Sequence, residues 1–173
     1  MDIRTAPAAL CDDESVPEFV IRQARADDAL AMAELMAAVA EERDGIATEP
    51  PVDLDSLAGR FVERADGSVV ADAGGRLVGM LNLDVSRHGF GEFGMLVDRD
   101  WRGLGVGSAL VQAAIERARS QGLHKLCLEV FATNTAAIAL YRKCGFVEEG
   151  RRAKQFRRAS GELWDSIVMG LAL

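Results

Sequence analysis

Along this chain the apolar positions fall into short runs and stepped stripes that divide it into strands and amphipathic helices. Phe19-Val20-Ile21-Arg22-Gln23-Ala24 has the β-branched, aromatic character of a first strand. From Ala29 to Arg43 the composition turns to helix formers. Leu30, Met32, Leu35, Met36 and Val39 gather toward one face there, behind Asp27 as a cap for the first turn. Gly45 to Pro51 breaks the pattern, and Leu54, Leu57 and Phe61, three and four apart, predict a second helix over Asp53 to Ala65. Ser68 to Ala73 and Arg76 to Asp84 flank Gly74-Gly75 and read as a hairpin, whose second arm has almost no polar face and so belongs in a sheet centre.

The second half begins with an apolar strand, Glu92-Phe93-Gly94-Met95-Leu96-Val97, and a charged turn, Asp98 to Trp101. The loop Arg102-Gly103-Leu104-Gly105-Val106-Gly107-Ser108 follows and opens a helix along which Val106, Leu110, Ala113, Ala114 and Arg117 step down one face until Gly122. Lys125 to Phe131 is the fifth strand, Thr133 or Asn134 caps the next helix, and Gly145 follows its end. Such a strand, helix, strand unit requires parallel pairing through a right-handed crossover. Arg151 to Phe156, the turn Ala159-Ser160-Gly161, and Glu162 to Leu171 read as a final hairpin rich in arginine and lysine. Met1 to Pro17 carries Asp12-Asp13-Glu14 and two prolines with no periodicity, and reads as a mobile leader before one domain over 18–173.

Charge sharpens this picture. The net charge of -7 argues against nucleic acid as a partner, because a polyanion requires a basic face. Met1 to Asp98 carries 8 basic and 20 acidic residues, whereas Arg99 to Leu173 carries 12 and 7, so the half holding the glycine loop is the basic one. No segment approaches the length of a membrane span and no basic-then-apolar signal opens the chain, so the expected location is cytoplasmic, with no membrane partner. Cys11, Cys127 and Cys144 are odd in number and widely spaced, with no clustered histidine, which predicts neither a disulfide framework nor a metal site. Cys127 and Cys144 read as core thiols.

The glycine loop carries the candidate chemistry. Glycines let the backbone turn tightly and approach a ligand, and a loop opening a helix points unpaired N–H groups at an anion. A dinucleotide fingerprint would place its glycines directly after the strand as G-x-G-x-x-G. Here Asp98-Arg99-Asp100-Trp101-Arg102 intervenes and the third glycine comes one position early, although Glu129 lies near the place of a ribose-binding acid. A nucleotide-hydrolase loop is excluded because no Gly-Lys-Ser/Thr follows. A glycine turn that merely connects strand to helix stays open on the loop alone.

The run Arg102-x-x-Gly105-x-Gly107 between strand and helix resembles the acetyl-CoA pyrophosphate loop of the GNAT acetyltransferases. Asn134, Ala136-Ala137 and Tyr141-Arg142-Lys143-Cys144-Gly145-Phe146 are similar to that superfamily's second signature. The resemblance covers residues 19 to 171 and is strongest to the phosphinothricin and L-amino-acid N-acetyltransferase branch, from Glu92 and the closing Asp165-x-x-x-Met169. It implies an α/β (α+β) fold: a central, mixed, mostly antiparallel twisted sheet of about seven strands with about four helices. It also implies that strands four and five splay to admit pantetheine, with Gly94 as the place for the bulge this would use.

The roles the resemblance implies are these. Acetyl-CoA is the cosubstrate, without a metal, and a small-molecule primary amine is the acceptor, attacking directly in a ternary complex. Cofactor contacts fall to Met95, Leu96 and Val97 of the strand, to Arg102, Gly103, Leu104, Gly105, Val106, Gly107 and Ser108 of the loop, and to Asn134, Ala137 and Tyr141. Glu92 takes the place of the general base, acting through a water, and Tyr141, the chain's one tyrosine, that of the proton donor to sulfur. An oxyanion donor is expected near Leu96, and Glu41 to Gly45 is expected in the acceptor wall. His88, His124 and the cysteines are not expected in catalysis, and a homodimer is expected. Two further readings stay open, acetylation of a peptide amine and a CoA-binding sensor without turnover.

Overall fold

A computed structural model describes residues 18–173, so the expected leader over 1–17 and Cys11 lie outside the described residues. Seven strands form one sheet: β1 (Val20–Gln23), β2 (Ser68–Ala73), β3 (Arg76–Val85), β4 (Phe90–Val97), β5 (Lys125–Phe131), β6 (Val147–Arg157) and β7 (Leu163–Ala172). Their order is β1-β2-β3-β4-β5-β7-β6, and every neighbouring pair is antiparallel except β4 and β5. Four α-helices cover it: α1 (Ala29–Ala40), α2 (Leu54–Arg64), α3 (Val106–Ser120) and α4 (Thr135–Lys143). No described helix is long and apolar enough to cross a membrane.

The strand alternation sorts side chains onto two cores. On one face Val69, Ala71, Leu81, Leu83, Phe93, Leu126, Leu128 and Val130 pack with Val106, Leu110, Ala114 and Ala118 of α3 and Ile138 of α4. On the other, Val70, Met80 and Leu96 meet Met32, Leu35 and Val39 of α1 and Leu57 and Phe61 of α2. β3 supplies both, as its near-continuous apolar sequence requires of a central strand.

Several local expectations change. The cap of α1 is Asp28 rather than Asp27. Its carboxylate turns back to accept from the Arg25 backbone N–H and from Arg22, which also binds Asp72, so one arginine joins β1, the turn before α1, and β2. α1 ends at Ala40, three residues before the composition loses its helical character, because Arg43 takes a positive φ of 61°. Gly94 carries no bulge: β3 and β4 pair without a break from Gly79↔Val97 to Val85↔Gly91, and the register shifts lie instead in β2, between Ala71 and Asp72, and in β6, between Glu148 and Gly150 and between Arg152 and Phe156.

Candidate active site

β4 and β5 pair at only three positions, Phe90↔Lys125, Gly91↔Leu126 and Glu92↔Cys127. Beyond them Phe93–Val97 has no partner on that side, while β5 continues pairing with β7 as far as Phe131↔Ser166. The sheet thus opens into a V whose apex is the Glu92–Cys127 pair. Just past β4 the Asp98 N–H donates to the Val78 carbonyl of β3, at 2.9 Å. Alternation along the strand then turns the N–H groups of Val97 and Met95 toward the opening, while Leu96 faces its partner Met80. Two polarised donors therefore flank Leu96, where an oxyanion donor was expected.

At the wide end of the V the glycine loop feeds α3. Gly105 caps this helix at φ 89°, ψ -10°, and a Cβ there would meet nothing within 4 Å. An L side chain is strained in that backbone shape, and the space it would fill lies open for a ligand. No side chain caps α3 and no acid occupies its first turn, so the N–H groups of Val106, Gly107 and Ser108 keep the positive helix end for an incoming anion. Gly107 serves packing instead, since a Cβ would lie 2.9 Å from Leu140 of α4. The Arg102 guanidinium is committed elsewhere. It forks onto Glu42 at 2.7 and 2.8 Å and donates to the Val97 carbonyl at 3.1 Å, tying the loop to the end of α1.

Opposite stands α4. Asn134, rather than Thr133, caps it: Oδ1 accepts from the Ala137 N–H at 3.1 Å, which leaves its amide N–H groups for a ligand. The Tyr-x-x-x-Gly-Phe corner has a physical cause. Gly145 takes φ 95°, letting the Phe146 N–H return to the Tyr141 carbonyl at 3.0 Å, and Phe146 is buried against the Tyr141 and Phe93 rings. Tyr141 is buried, and its burial pushes the phenol up to about 12. Its hydroxyl makes no hydrogen bond among the described residues, and no buried side-chain oxygen or nitrogen among them lacks a partner. The oxygen therefore keeps some access at the edge of a buried ring.

Glu92 is exposed, so the enclosure expected of a carboxylate in an apolar strand is missing; it points instead into the open face of the V. Cys127 beside it is half-buried, and burial pushes its thiol up, which leaves it a poor nucleophile. Because Glu92 and Cys127 are register partners, alternation puts Gly94 and Leu96 of β4 and Glu129 and Phe131 of β5 on that same face. Glu129 is a second carboxylate there that sequence reasoning had set against a nucleotide. It accepts from Arg152 at 2.8 Å and from the Ser166 hydroxyl. Its signal, an acid alternating with buried Leu128 and Val130, is visible only once the strand's faces are known. His88 and His124 stand outside this group, on the turn before β4 and the residue before β5.

The mixed sheet opens between its two parallel neighbours, with free helix-end donors at its mouth that suit an anionic group, an arrangement shared by a family of acetyltransferases. The chain belongs to the GNAT acetyltransferase family, whose profile matches residues 31–146. It is 38% identical over 112 residues to the L-methionine sulfoximine/L-methionine sulfone acetyltransferase of Pseudomonas aeruginosa (strain PAO1), over 60% of this chain and 65% of that protein. It is 36% identical over 106 residues to the L-amino acid N-acetyltransferase of Escherichia coli (strain K12), over 58% and 65%. The matched stretch thus spans just under two thirds of each relative's length. Among solved structures, the ribosomal-protein-alanine N-acetyltransferase of Brucella melitensis superposes with a TM-score of 0.80 at 30% identity, covering 89% of this chain and 99% of that one.

Proposed function

We propose that this protein transfers the acetyl group of acetyl-CoA to the primary amine of a small molecule, an amino acid or a close analogue. The single observation that carries this reading is the opening of the sheet after Glu92↔Cys127 beside the uncapped start of α3. An extended pantetheine arm can lie in the V as a substitute strand, with its pyrophosphate on the N–H groups of Val106 to Ser108. The relatives named for amino-acid acceptors support the acceptor class.

In this reading Glu92 accepts a proton from the attacking nitrogen through a water, because an amine must be neutral to attack. The N–H groups of Met95 and Val97 stabilise the oxyanion as the C–N bond forms. The C–S bond then breaks, and Tyr141 donates its hydroxyl to the departing sulfur. Burial pushes the phenol up to about 12, so Tyr141 is protonated at neutral pH and donates a hydrogen bond to the departing sulfur, and the thiolate takes its proton from solvent after release.

A peptide amine is the second reading, favoured by the likeness to the Brucella melitensis enzyme. We also place the protein in the cytoplasm as a homodimer. The deciding experiment measures release of CoA thiol from acetyl-CoA against amino acids, methionine sulfone and sulfoximine, polyamines and short peptides, with calorimetry of acetyl-CoA alone. Release with amino acids but not peptides supports the reading. Binding without release on any amine replaces it with a sensor, and release with peptides alone replaces it with a peptide acetyltransferase.

A further inference from the structure

Arg158, on the turn between β6 and β7, is 4% exposed and makes no contact with the groups assigned to catalysis. Its guanidinium lies over two rings, 4.6 Å from the centre of Trp164 and 5.3 Å from that of Phe131. From there it reaches the segment between α1 and α2, donating to the carbonyls of Ile46, Ala47 and Arg43 at 3.2, 3.3 and 3.2 Å. Glu49 closes the set, 3.4 Å from the guanidinium and accepting from the Ala159 N–H at 2.8 Å. An arginine this buried, satisfied by loop carbonyls rather than by one carboxylate, holds a backbone in place.

Where that backbone lies follows from the sheet. Phe131 shares the face of Cys127 and Glu92, the side of the V left open by α3 and α4. The other end of the same segment is pinned on the β4 side, where Glu42 meets the Arg102 fork. Residues 42–49 therefore run from the β4 edge of the opening to the β5–β7 edge, crossing it on the face that carries Glu92. Seven residue steps reach at most about 23 Å, ample for two strand spacings of about 5 Å each plus the splay.

We infer that Arg158 is a positioning residue for the acceptor: it holds residues 43–49 as a strap across the wide end of the cleft, on the face that carries Glu92, and that strap bounds the space through which an acceptor reaches Glu92. The inference rests on the acetyltransferase reading and deepens it. A strap fixed at both ends closes one side of the groove that a long peptide would need, and so selects compact amines. Because the strap lies on the acceptor side, acetyl-CoA binding at α3 is independent of Arg158.

The test compares the wild-type protein with Arg158→Gln and Arg158→Lys on the best acceptor of the panel, together with tryptic cleavage after Arg43, whose carbonyl Arg158 holds. For Arg158→Gln the acceptor KM rises about tenfold or more, while kcat and acetyl-CoA affinity stay within about threefold. Cleavage after Arg43 accelerates, and Arg158→Lys falls between. A folded Arg158→Gln protein with unchanged acceptor KM and unchanged cleavage overturns the inference, as does an equal loss in acceptor KM and acetyl-CoA affinity. If Arg158→Gln does not fold, Glu49→Gln takes its place, and the same two unchanged readouts refute the strap. If wild-type protein transfers no acetyl group, the proposed function fails, while the Arg43 cleavage rate still decides whether Arg158 holds the segment.

Discussion

Tyr141 is the only tyrosine in the chain, so its ionisation can be followed without assignment. Its ring is buried against Phe93 and Phe146, and burial pushes the phenol from about 10 up to about 12. That rise corresponds to roughly 3 kcal/mol. The sign follows from linkage: the folded protein holds the proton more tightly than the unfolded chain. That stability is fully present below about pH 10 and is lost as pH rises through about 12. Phenolate absorbance recorded against pH, with circular dichroism to confirm the fold, should give a midpoint well above that of the same protein in urea. Tyr141→Phe should lack this loss, and its stability near neutrality should change by under about 0.5 kcal/mol, because the hydroxyl has no partner among the described residues. Its kcat should nevertheless fall about 10²- to 10³-fold, the cost of one donor at a developing anion. A native-state midpoint near 10, or undiminished turnover in Tyr141→Phe, would refute the assignment.

Three further perturbations probe other parts of the site and fold. Gly105→Ala should cost about 1–2 kcal/mol, lowering Tm by about 2–8 °C, because φ 89° is strained for a side chain; calorimetry should also show weakened acetyl-CoA binding, and an unchanged affinity would separate the loop from the cofactor. Glu92→Gln should lower kcat/KM by about 10²- to 10⁴-fold; a full rate from pH 6 to 9 would place the base elsewhere, with Glu129 the next carboxylate on that face. Arg22 and the Arg25 N–H hold the Asp28 carboxyl below its ordinary value, so its stabilisation is present above that value and is lost as pH falls through the depressed one. Asp28→Asn should flatten this acid limb in urea titrations, and an unchanged limb would mean the Arg22 pair contributes nothing.

The elements and two of the chemical landmarks were legible in the residues themselves. Local periodicity determines α2, the Gly74-Gly75 hairpin and the parallel β4–α3–β5 unit, because each depends on neighbours within a few positions. The glycine loop and the Tyr141 to Phe146 corner are equally local: one needs a positive φ at Gly105, the other at Gly145. Tertiary structure alone decided where β4 and β5 part. Pairing between strands some 35 residues apart leaves no mark on either, and the bulge assigned to Gly94 is absent because β3 holds β4 straight. It likewise decided that Arg158, one basic residue of a hairpin by sequence, is buried against the segment it holds, over 110 positions away. A side chain's charge and length can be read from sequence, but its partner is set by the packing that brings distant backbone within reach.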